Sequence, residues 1–66
     1  MKFEQRYLAV ITAFDRGELD ESTDIYVDLL KIYKDQILSM LSKSSLARYL
    51  HLKIALQYGI QKILIQ

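Results

Sequence analysis

Apolar residues recur along this chain at the spacing of α-helices and divide it into three helical segments. The first runs from about Phe3 to Arg16. There Phe3, Tyr7, Val10, Ile11 and Phe14 form one stripe, with Glu4, Gln5, Thr12, Asp15 and Arg16 largely off it. Gly17 is placed to end this segment, because glycine accepts the left-handed conformation of a helix terminus without penalty. The link that follows is rich in capping residues, and Asp20, Ser22 and Thr23 are each able to start the second segment, expected over about residues 22–41. Its apolar positions, from Ile25 and Tyr26 to Met40 and Leu41, cover more than half of the circumference. Only Asp24, Asp28, Lys31, Asp35 and Ser39 make a polar strip. Such a helix must be covered on more than one side.

Ser42-Lys43-Ser44-Ser45 is the second break, with Ser44 or Ser45 as the cap of a third helix over about residues 45–64. This helix has two apolar faces. One carries Tyr49, Leu52, Leu56, Ile60 and Ile63, and is expected to pack on the first two helices. The other carries Ala47, Ile54, Tyr58 and Ile65, and is expected to meet a partner. Arg48, His51 and Lys62 lie along one dividing edge, and Lys53, Gln57 and Gln61 along the other. Gly59 falls inside the pattern at a cost of ~1 kcal/mol relative to alanine, consistent with close approach of another helix. The expected fold is all-α, one small three-helix domain over residues 1–66, completed as a bundle by dimerisation or by a partner.

Composition adds a reason for that completion. A chain of 66 residues buries only ~60% of its unfolded surface, so its stability is marginal without reinforcement. It has no cysteine for disulfides or thiolate sites, and a single histidine. Oligomerisation is the remaining common reinforcement. An apolar fraction of 52% points the same way, because there is more apolar surface than so short a chain readily hides. The charged N-terminus lacks the apolar core of a signal peptide, and no apolar run reaches ~18 residues. With the lack of cysteine, these features point to a cytoplasmic protein without a membrane span.

Charge separates the two halves. The net value of +1 conceals that all acidic residues lie at or before Asp35. Beyond it stand only Lys43, Arg48, Lys53 and Lys62, with His51 among them. Such a split points to an interaction surface rather than to a fold. Asp20, Asp24 and Asp28 would share a helix face, but no calcium-loop pattern accompanies them. Acids at a helix start are explained by its macrodipole, so no metal is expected. No nucleophile–base motif or Gly-rich phosphate loop is present, and His51 reads as a surface or interface residue. No enzyme activity, cofactor or small-molecule substrate is therefore expected.

Leu46-Ala47-Arg48 superficially resembles the opening of a helix-turn-helix. His51, however, occupies the turn position, and the helical pattern continues past it. The function these features favour is a non-enzymatic helical protein–protein interaction module, a small regulator or accessory subunit of a larger complex. Its partner would be a second copy or a larger protein, met through Ala47, Ile54, Tyr58 and Ile65. The alternative is a dimeric, largely sequence-non-specific nucleic-acid-binding protein, with Lys43, Arg48, His51, Lys53 and Lys62 on phosphates.

Overall fold

Gly17 makes the first corner of the fold. The computed structural model describes residues 2–59, apart from the side chain of Tyr58. Helix α1 spans Phe3–Asp15, and Gly17 follows at φ +80°. The Gly17 amide donates to Phe14 O and the Glu18 amide to Ala13 O, so the last carbonyls of α1 are satisfied as in a Schellman motif. α2 then starts at once, spanning Leu19–Ile32, with Asp20 and Glu21 in its first turn, where carboxylates complement the macrodipole. None of the three expected caps starts this helix. Glu18 occupies the cap position, and Ser22 and Thr23 are buried. The Ser22 hydroxyl donates instead to Val10 O of α1 at 3.0 Å, joining the two helices through their shared core.

The expected second helix is in fact two. α2 ends at Ile32, and α3 spans Lys34–Lys43, with Tyr33 between them at φ −121°, ψ 43°. No glycine or proline marks this break, so its cause is tertiary. Unbroken, a helix apolar over most of its circumference would leave one side uncovered. The bend at Tyr33 brings Ile37 into the same core as Leu29 and Leu30, and Tyr33 packs its ring on Phe3 of α1 at 5.5 Å. The fold therefore has four helices among the described residues, and no strand.

α4 spans Ser45–Tyr58. The Ser44 hydroxyl accepts from the Ala47 amide at 3.1 Å, which makes Ser44 its cap. Gly59 terminates this helix at φ +71° rather than lying inside it, with its amide bonded to Ala55 O. The expected continuation over residues 60–64 lies outside the described residues. α1 packs along α2, and α4 closes over α2 and α3. Between them lies one cluster of Val10, Tyr26, Leu29, Leu30, Ile37, Leu50 and Ile54. No helix among the described residues is long and apolar enough to cross a membrane.

Candidate protein-interaction surface

The two faces of α4 are exchanged relative to the sequence expectation. Ala47, Leu50, His51 and Ile54 recur at i, i+3, i+4 and i+7 and form the buried stripe. Ala47 and Ile54, expected to meet a partner, are 3% and 0% exposed, so the chain's own core occupies them. The Tyr58 side chain and Ile65, also expected at the interface, lie outside the described residues. Leu46, Tyr49, Leu52 and Leu56 are 78%, 52%, 62% and 84% exposed. At 100° per residue the last three centre almost opposite the buried stripe, with Leu46 at their edge. Tyr49, Leu52 and Leu56 had been expected to pack inside.

His51 explains why this face is the inner one. It is buried rather than on a surface edge, and its Nδ1 lies 2.6 Å from the Tyr26 hydroxyl, the rings meeting edge to face. Burial pushes the Tyr26 hydroxyl well above the ordinary tyrosine range, with a smaller contribution from Tyr7, so it keeps its proton. Burial also holds His51 below the ordinary histidine range, which favours the neutral imidazole, and we assign its Nδ1 as the acceptor of the Tyr26 O–H. A fully buried tyrosine hydroxyl needs a partner, and the one histidine provides it. That pairing sets His51 on the inner side of α4, with Ala47, Leu50 and Ile54. His51 is thereby committed to the core.

The remaining basic residues of the described chain's C-terminal half stay exposed. Arg48 donates through Nη1 to Leu41 O at 2.8 Å, serving one of the last carbonyls of α3. Lys53 stands over the Tyr49 ring at 5.6 Å from its centroid. Lys43 lies in the last turn of α3, and Lys62 lies outside the described residues. On the helical wheel Arg48 and Lys53 flank Tyr49, Leu52 and Leu56, one on either edge, and Leu46 lies just beyond Lys53. The acids gather elsewhere. Asp20, Glu21, Asp24 and Asp28 are all exposed along α2. Among the described residues no three carboxylate or imidazole groups converge as a metal would require.

Beside the row, the surface opens into a groove of about 290 Å³ between α1 and α4. Tyr7, Ile11 and Phe14 form one wall, Leu46, Tyr49 and Leu50 the other, and Met40 of α3 also lines it. Phe14 and Tyr49 meet edge to face across it, with centroids 6.2 Å apart. Asp15 and Ser44 are its only polar lining residues. Sequence reading missed Leu46 and this α1 wall. The signal for the buried stripe was available in Leu50, which completes the spacing of Ala47 and Ile54. No protein-family model, curated protein or solved structure matches the chain.

Proposed function

We propose that this chain is a non-enzymatic helical protein–protein interaction module, a small regulator or accessory subunit of a larger complex, whose docking face is the outer side of α4. The observation that carries the reading is the row Leu46, Tyr49, Leu52 and Leu56. These four large apolar side chains stand in water on one helix, and two of them, Leu46 and Tyr49, line an apolar groove. Exposed apolar residues scattered singly need no explanation, whereas a contiguous row rimmed by charge marks a contact surface. The only histidine is held in the core by Tyr26, which leaves it unsuited to proton transfer with a substrate.

The nucleic-acid alternative draws less support. Of its five candidate phosphate contacts, His51 is enclosed and neutral and Arg48 serves a helix terminus. Lys43 is exposed, Lys53 stands over the Tyr49 ring, and Lys62 lies outside the described residues. A photo-crosslinking side chain placed at Leu56 tests the preferred reading in extract from the source cells. A discrete protein adduct is expected from Leu56 and none from Asp24 on the acidic face of α2. If the Leu56 position gives no protein adduct, the interaction-module reading fails.

A further inference from the structure

We infer that the face on α4 takes an acidic amphipathic helix of another protein, laid along Leu46, Tyr49, Leu52 and Leu56 with one large apolar side chain seated in the groove. The inference rests on the interaction-module reading and adds the chemistry of the partner. Charge selects it first. α4 contains no acidic residue, and Asp20 of α2, held against it, is bonded to Gln57. Arg48 borders the Leu52 side of the exposed row, and Lys53 stands between Tyr49 and Leu46. A partner that covers the row therefore brings its own flanking residues against two cations, and carboxylates are the complement.

Shape and pattern narrow the occupant further. The row spans residues 46–56, about 15 Å at 1.5 Å per residue, which matches roughly three turns of a second helix. Its members lie three or four positions apart, the spacing that meets the i, i+3, i+4, i+7 anchors of a helix on a helix. The groove volume of about 290 Å³ stands at the bottom of the range for small-molecule pockets. Its lining is almost wholly apolar, so it is suited to one buried anchor rather than to orienting a polar ligand. Asp15 at its edge further disfavours a carboxylate inside the groove and leaves the acids of the partner to the Arg48 and Lys53 rims.

A second copy of the chain fits less well. α4 against α4 sets Arg48 and Lys53 near their own copies with no acid on either helix. The acidic face of α2 supplies carboxylates at Asp20, Glu21, Asp24 and Asp28. It has only Ile32 as an exposed large apolar residue, so it cannot cover an apolar row. A bilayer surface is flat, would leave the groove unfilled, and favours a more strongly basic face than two cations make.

The probe is a synthetic five-turn amphipathic helix of about 18 residues, with leucine along one face and glutamate elsewhere. Its counterpart carries lysine in place of glutamate. Fluorescence anisotropy with the full chain is expected to show binding of the glutamate helix, with the lysine helix at least about tenfold weaker. Leu56→Glu and Tyr49→Ala should each weaken the glutamate helix by about tenfold. Lys53→Glu should slow its association, with the difference fading at high salt. Circular dichroism confirms that each variant is folded, and Leu52→Glu replaces any that is not.

Equal binding of the two helices, or binding of neither, overturns the acidic-helix partner. The photo-adduct at Leu56 would then still stand for the wider module reading. A concentration-dependent dimer abolished by Leu56→Glu overturns it in favour of a second copy. Preference for anionic vesicles or for duplex DNA over the glutamate helix also overturns it.

Discussion

Two substitutions two positions apart on α4 test which face is inside. Ile54 is enclosed in the cluster with Val10, Tyr26, Leu29, Leu30, Ile37 and Leu50, whereas Leu56 is 84% exposed. Ile54→Val deletes one methylene from a closed site. The transfer loss is ~0.8 kcal/mol, and the small cavity left behind brings the expected cost to about 1 kcal/mol. Leu56→Ala removes more atoms, but from a side chain already in water, so its cost should stay within about 0.5 kcal/mol. A domain of this size has roughly 5 kcal/mol of stability and a urea dependence of about 1 kcal/mol per molar. Ile54→Val should therefore lower the urea midpoint by about 1 M, and Leu56→Ala by less than about 0.5 M. Far-UV circular dichroism during urea titration reads both. If Leu56→Ala loses about 1 M while Ile54→Val matches the wild type, α4 is rotated the other way and the docking face is misassigned. The valine variant is the more informative choice, because Ile54→Ala costs ~2–5 kcal/mol and would leave little folded protein to measure.

Tyr26→Phe should cost about 1–2 kcal/mol, because it leaves the buried Nδ1 of His51 without its donor. Long-range nitrogen–proton NMR of the wild type should show the His51 proton on Nε2, and a proton on Nδ1 would contradict the assigned direction of that bond. Stability should be full above the unfolded histidine value of 6.5 and should fall as pH drops below it. The unfolded chain takes up a proton there that the buried, depressed His51 refuses, and the loss levels off once pH passes the native value. A urea midpoint that rises on acidification through this window would contradict burial of a neutral His51. Ser44→Ala should cost about 1 kcal/mol through loss of the cap to Ala47, with Ser45→Ala near zero in the same titration.

Periodicity was sufficient for the helical class, for both ends of α1 and for the start of α4. Gly17 as terminator and Ser44 as a cap were legible because each acts through its own backbone neighbourhood. The break at Tyr33 was not, because nothing in Ile32-Tyr33-Lys34 forbids a helix. It coincides with the packing of Tyr33 on Phe3 of α1 and the entry of Ile37 into the core, contacts no local pattern encodes. The rotation of α4 was hidden for a related reason. Both of its faces are apolar, and hydrophobicity alone cannot rank two such faces. The deciding residue was a polar one: His51 pairs with Tyr26 from 25 positions away, and a lone histidine reads from sequence as a surface group. Ser22 misled in the same manner, a hydroxyl suited to a cap but used between helices.

These misreadings share a consequence for how stability and binding are coupled. α4 presents Ile54 and His51 to the core and Leu56 and Tyr49 to solvent, so one short helix is both a wall of the fold and the proposed docking face. The apolar excess in the composition is then divided between two duties rather than wasted. A partner that binds only the folded chain adds about 2.7 kcal/mol when present at a hundred times its Kd. Against roughly 5 kcal/mol for an isolated domain of this length, that is a gain of about half. Leaving the row exposed lowers solubility without lowering intrinsic stability, whereas covering it raises stability substantially. A midpoint that rises with added glutamate helix in the wild type, but not in Leu56→Glu, would tie the two duties of α4 together in a single measurement.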